Sequence, residues 1–102
     1  MSMLHTINKS PFEKNSLDRC IQMAKSGSSV LLIEDGVYGA LRGTTVEQTV
    51  RGALDRVTVY VLEPDLKARG MDSANLIEGV ALVDYGGFVD LTASHDNIQS
   101  WL

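Results

Sequence analysis

The chain has one cysteine, Cys20, which is the residue best suited to nucleophilic or sulfur chemistry. Such chemistry needs a lowered thiol pKa and access to solvent, and the neighbouring Arg19 supplies positive potential that favours a thiolate. However, Cys20 belongs to an apolar series with the i, i+3, i+4, i+7 spacing of one buried helix face: Leu17, Cys20, Ile21 and Ala24. The residues therefore leave two roles open for Cys20, a small core side chain or a reactive thiol.

The two histidines are far apart in sequence and suggest different roles. His5 lies inside an apolar segment, so it is either a buried, hydrogen-bonded side chain or a residue near the sheet end that can transfer protons. His95 follows the last predicted helix and is most simply a partner of that helix's C-terminal carbonyls. One cysteine and two distant histidines do not have the spacing of a metal site, and no cofactor is expected.

Two acidic residues, Glu34 and Asp35, follow a predicted strand at the end where open α/β sheets bind ligands. The simpler interpretation is a turn, in which Asp35 caps the next helical turn and Gly36 adopts a conformation that larger residues avoid. The glycines at 36, 39 and 43 follow GxxGxxxG spacing rather than the dinucleotide-binding GxGxxG, and no P-loop lysine follows them. A nucleotide-binding or other small-molecule-binding protein is therefore the less favoured class.

The composition is that of a globular protein. With 102 residues, 44% hydrophobic and 22% charged, we expect a single domain spanning residues 1–102. The net charge of −4 argues against a nucleic-acid-binding surface, so contact with tRNA would go through a partner. A lone cysteine, the lack of a signal-peptide pattern and apolar runs too short for a bilayer together predict a cytoplasmic protein.

Strands and helices that would position these residues alternate along the chain. Strands are predicted over residues 3–7, 30–33, 57–62 and 80–83. The first helix has two candidate starts, a capping box at Ser10 and a second start at Asn15 or Ser16, and it ends near Gly27. Further helical segments are predicted over residues 37–41, 46–54, 66–69 and 88–94, followed by a tail over 96–102. Strands separated by helices predict an α/β fold, a compact three-layer sandwich with a mainly parallel sheet of four to five strands.

Four segments, at residues 4–12, 30–37, 59–70 and 83–89, resemble the DsrH/TusB family in sequence and in order. They read LHTINKSPF, VLLIEDGV, VYVLEPDLKARG and VDYGGFV. Members of that family are the smallest subunits of the DsrEFH and TusBCD sulfur-relay complexes. The resemblance implies a DsrE/F/H-like fold, a cytoplasmic location and a heterohexamer with DsrE-like and DsrF-like subunits.

The resemblance also bears on the residue that carries sulfur. Complexes of this family move sulfane sulfur as a cysteine persulfide, on a cysteine of the largest subunit type at the end of the strand preceding an Arg-Gly pair. Counted from Arg69 and Gly70, the matching position in this chain is Leu62, which cannot hold a persulfide. The resemblance thus implies an accessory subunit of a sulfurtransferase, which delivers sulfur through the complex to a DsrC/TusE-like acceptor protein.

Cys20 leaves alternatives within this family. DsrH-type members have a cysteine in the first helix, which favours the DsrH role in dissimilatory sulfur oxidation. The alternative is a TusB-type subunit for 2-thiolation of the tRNA wobble uridine. In a further alternative, Cys20 is a catalytic residue that relays sulfur directly.

Overall fold

The computed structural model describes residues 3–102 and shows a five-stranded β-sheet with helices on both faces. Its elements are, in chain order, β1 (Met3–Ile7), α1 (Ser16–Met23), β2 (Ser29–Leu32), a 3-10 helix (Glu34–Ala40), α2 (Glu47–Ala53), β3 (Thr58–Leu62), α3 (Glu63–Ala68), a short 3-10 helix (Ser73–Asn75), β4 (Ala81–Val83), α4 (Tyr85–Ser94) and β5 (Asn97–Trp101).

The strand order is β4-β3-β2-β1-β5, and every neighbouring pair is parallel. All four residues of the central strand β2 are buried, which explains its unbroken apolar run, since a parallel strand is covered on both faces. The predicted α/β fold with a parallel sheet is therefore confirmed, at five strands. No helix within residues 3–102 is long and apolar enough to cross a membrane.

The larger core fills one face of the sheet, which we call the first face. Alternate residues of the central strands pack against α1, α2 and the first 3-10 helix on this face, because successive side chains of a strand point to opposite faces of the sheet. The members of this core include Ile7, Val30, Leu32, Val59, Val61, Leu17, Cys20, Ile21, Val37, Val50 and Ala53.

The second face carries a smaller core, contributed by α4. Leu91 of α4 packs with Leu4 and Leu31 of the central strands, and Phe88 adds to the same cluster. Helices on both faces make the predicted three-layer arrangement.

The N-terminal start predicted for α1 at Ser10 is wrong, and the second predicted start is correct. The Ser10 hydroxyl accepts a hydrogen bond from the Phe12 amide at 3.2 Å, and the Ser10 carbonyl accepts from Glu13 and Lys14 at 3.1 Å. These bonds close a turn, and α1 begins only at Ser16.

Several other boundaries differ from the sequence predictions. The first 3-10 helix begins at Glu34 instead of Val37, and α1 ends at Met23, before the predicted end near Gly27. The predicted tail contains β5, which pairs with β1 along its whole length.

Helix α3 begins directly after β3, with Pro64 in its first turn, instead of at Leu66. Helix α4 includes Gly86 and Gly87, because the Asp84 carboxylate accepts a hydrogen bond from the Gly87 amide at 2.8 Å and caps the helix before them.

Candidate functional site

The position at which the family resemblance predicts a sulfur-accepting cysteine lies at the carboxyl edge of the sheet, where β3 ends. Leu62 is its last residue, and α3 begins at the next one. Leu62 is buried and pairs in register with Val83, which packs in the core of the second face. This position therefore offers a hydrocarbon side chain inside the fold and no group that can carry sulfur.

Around this edge, an ion pair joins the end of α3 to the segment after β2. The Arg69 guanidinium donates to the Asp35 carboxylate at 2.9 Å and to the Asp65 carbonyl at 3.2 Å. The Asp65 carboxylate in turn accepts a hydrogen bond from the Glu34 amide at 2.7 Å. Together these contacts join the segment that follows β2 to helix α3, which follows β3.

The backbone after β2 is strained at Glu34, which has a positive φ of 51°. Residues other than glycine, asparagine and aspartate rarely adopt this left-handed backbone conformation. The hydrogen bond from the Glu34 amide to the Asp65 carboxylate stabilises it here.

Two expectations for the neighbouring residues are wrong. Asp35 does not cap the following helical turn, because its side chain pairs with Arg69. Gly36 is outside the left-handed region; it is needed because a Cβ there would lie 2.2 Å from the Ile7 carbonyl oxygen.

The chemistry available at this edge is limited. The side chains described above are carboxylates, one paired guanidinium and a leucine, and none of them is a thiol that could form a persulfide. No group of three or more His, Cys, Asp or Glu residues within residues 3–102 has the arrangement of a metal site.

Cys20 lies elsewhere, in the core of the first face. It is fully buried on α1, and burial raises the pKa of its thiol to about 12, although the positive charge of Arg56 acts in the opposite direction. Leu62 follows Val61, which faces the same core as Cys20, so Leu62 points to the other side of the sheet. The structure thus places Leu62 and Cys20 on opposite sides of the sheet and does not bring them together.

Arg56 is a residue whose role the sequence did not reveal. Its guanidinium donates to the Ala24 carbonyl at 2.6 Å and also to the Ile21 carbonyl, and so caps the C-terminal end of α1. The positive charge near Cys20 comes from this residue, which is distant in sequence, and not from Arg19. No local sequence signal marks such a long-range cap.

Both histidines form hydrogen bonds to the protein. The Trp101 indole nitrogen donates to His5 Nδ1 at 3.0 Å, and burial lowers the pKa of His5. His95 Nδ1 lies 2.7 Å from the Leu91 carbonyl, and its Nε2 lies 2.9 Å from the Ser29 hydroxyl. His95 therefore lies at the C-terminal end of α4, as predicted, and also links that end to β2.

Comparison with solved structures places this fold among known proteins. The crystal structure of the ychN protein from E. coli covers 98% of this chain and 98% of its own, with a TM-score of 0.83 at 21% identity. A protein of unknown function from Methanobacterium thermoautotrophicum matches with a TM-score of 0.73 at 20% identity, over 96% of this chain and 97% of its own. These similarities show a shared fold.

Sequence comparisons define the family. The model described as "DsrH like protein" matches residues 9–98. Protein TusB of Pectobacterium parmentieri is 37% identical over 99 residues, and Protein TusB of Escherichia coli strain K12 is 33% identical over 99 residues. Both alignments cover 97% of this chain and the whole of the relative. The chain therefore belongs to the DsrH/TusB family.

Proposed function

We propose that this chain is an accessory subunit of a cytoplasmic sulfur-relay complex of the TusB type, which serves 2-thiolation of the wobble uridine of tRNA. The observation that carries the proposal is the full-length similarity to proteins named TusB. These relatives favour the tRNA role over dissimilatory sulfur oxidation, the DsrH role that the position of Cys20 favoured.

The accessory role rests on the two positions at which sulfur could be held. Leu62 stands where the family's carrier cysteine is expected and has no thiol. Cys20 is fully buried with a thiol pKa raised to about 12, so it lacks the exposure and thiolate character that sulfur exchange requires. The persulfide is then carried by a DsrE-like partner subunit, and direct relay by Cys20 is the alternative.

Helix α4 supplies the surface that a subunit of an assembly needs. Tyr85 and Val89 lie one turn apart on α4 and are 60% and 64% exposed. Exposed apolar side chains at i, i+4 spacing on a helix suit burial against another protein. This face docks on the DsrE-like or DsrF-like subunit, and the assembled complex passes sulfur to a DsrC/TusE-like acceptor.

The proposal is tested by deleting the chain's gene in its host and measuring 2-thiouridine in hydrolysed tRNA. We expect the modification to be lost and to return with the wild-type gene. A Tyr85→Asp, Val89→Asp double variant is expected to fold but to lose co-purification with the partner subunits and to fail to complement. Phe12→Asp, at an exposed position in the turn before α1, is the matched control that retains both. Unchanged 2-thiouridine in the deletion strain contradicts the proposal.

A further inference from the structure

A cavity of about 210 Å³ opens beside the C-terminal end of α1, next to β1 and the edge strand β5. Its apolar lining comes from Met3, Met23 and Trp101, and its polar lining includes His5, Lys25 and Ser28. The volume corresponds to about seven water molecules at about 30 Å³ each, enough for a small organic molecule or one side chain.

Two polar side chains that line this cavity have hydrogen-bonding capacity that no contact within residues 3–102 uses. An indole N–H can only donate, so the Trp101 bond leaves the proton of neutral His5 on Nε2, as an unused donor. The Ser28 hydroxyl is the second such group. Both residues are only 5% exposed, but the one buried side-chain atom without a partner within residues 3–102 is Asn8 Oδ1, so His5 Nε2 and the Ser28 hydroxyl keep contact with the open space of the cavity.

The charge of the lining favours an anion. Lys25 forms no ion pair within the described part of the chain, and no carboxylate lines the cavity. The side-chain amides of Asn97 and Gln99 on β5 add further donors. The nearby C-terminal carbonyls of α1, at Ile21 and Ala24, are occupied by Arg56, which removes much of the negative potential of the helix end.

We propose that this cavity binds a small carboxylate with a short aliphatic tail. The carboxylate contacts Lys25, His5 Nε2 and the Ser28 hydroxyl, and the tail lies against Met3, Met23 and the Trp101 ring. The ligand is either a free acid or the acidic side chain of a protein that docks at β5. This site is separate from the carboxyl edge of the sheet and does not depend on the sulfur-relay proposal.

Trp101 is the only tryptophan of the chain, so its fluorescence reports on this cavity alone. Titration of the full-length chain with butyrate at neutral pH is expected to give a saturable change, and butyramide, which lacks the charge, a much weaker one. Lys25→Met is expected to weaken butyrate binding about tenfold, as for loss of a charge-assisted hydrogen bond. Lys14→Met, at an exposed lysine outside the cavity, is the control and should bind as wild type. No saturable response, equal responses to butyrate and butyramide, or wild-type affinity in Lys25→Met would each overturn the proposal.

The assembled complex distinguishes the two sources of the carboxylate. The chain is labelled with 5-fluorotryptophan, assembled with its partners and titrated again with butyrate, with the fluorine resonance as the readout. A shift like that of the isolated chain identifies a free acid as the ligand. A resonance already shifted on assembly, and unresponsive to butyrate, identifies an acidic side chain of a partner. An unshifted and unresponsive resonance contradicts both sources.

Discussion

The Trp101 indole nitrogen donates a hydrogen bond of 3.0 Å to Nδ1 of His5, and the two rings lie 6.1 Å apart. This contact joins the edge strand β5 to β1. Four of the five residues of β5 are exposed, so the strand has little other side-chain packing to hold it in place. We therefore expect the contact between His5 and Trp101 to stabilise the pairing of β5 with β1.

The first prediction concerns the pH dependence of stability. Burial lowers the pKa of His5 from its ordinary 6.5, so as the pH falls below about 6.5 the unfolded chain binds a proton that the folded chain does not. The free energy of unfolding should therefore decrease below about pH 6.5 and level off once the pH is below the folded pKa. Urea denaturation at a series of pH values measures this. His5→Asn, which keeps an acceptor for Trp101 but does not titrate, should show a smaller decrease, and an equal decrease would contradict the assignment.

The second prediction concerns Gly36. Gly36→Ala would place a Cβ 2.2 Å from the Ile7 carbonyl oxygen, which is backbone and cannot rotate away. We expect a loss of about 1–3 kcal/mol, as for overpacking, measured by denaturant unfolding. The control is Gly52→Ala on α2, where the added Cβ meets nothing within 4 Å. That change should stabilise by roughly 0.5–1 kcal/mol, because alanine favours a helix over glycine. Equal effects at the two positions would show that the contact with Ile7 is unimportant.

The third prediction concerns the strained backbone at Glu34. Asparagine tolerates positive φ and a β-branched residue does not, so Glu34→Asn should keep wild-type stability. Glu34→Val should lose about 1–2 kcal/mol at this position, where the wild-type side chain is exposed. Thermal unfolding of the two proteins compares them directly. A valine variant as stable as the asparagine variant would show that the left-handed conformation at Glu34 is not required.

The sequence predicts the central strands, since β-branched and apolar runs mark buried parallel strands. Helical spacing also places Cys20 on one apolar face with Leu17 and Ile21, but it leaves open whether the thiol is a core side chain or a reactive group. The sequence does not reveal β5, whose residues are mostly exposed and which depends on pairing with β1, more than ninety positions away. The Asp35–Arg69 pair is missed for the same reason, because 34 positions separate its members and each has a plausible local role.

The fourth prediction concerns the reactivity of Cys20. A fully buried thiol with a pKa of about 12 should not react with iodoacetamide at neutral pH while the chain is folded. In denaturant the same thiol should be alkylated once per chain, as counted by mass spectrometry. Cys20→Ser, which has no thiol, is the control and should not be alkylated in either condition. Rapid alkylation of the folded protein would mean that Cys20 reaches solvent and is available for sulfur exchange.

The central claim is that this chain belongs to a sulfur relay but carries no sulfur itself. The most direct test treats the assembled complex with a persulfide donor and measures the intact mass of each subunit. We predict a gain of one or more sulfur atoms on a partner subunit, none on this chain, and unchanged loading of the partner when Cys20→Ser is assembled in its place. A sulfur mass gain on this chain that disappears in Cys20→Ser would contradict the account and assign the relay to Cys20.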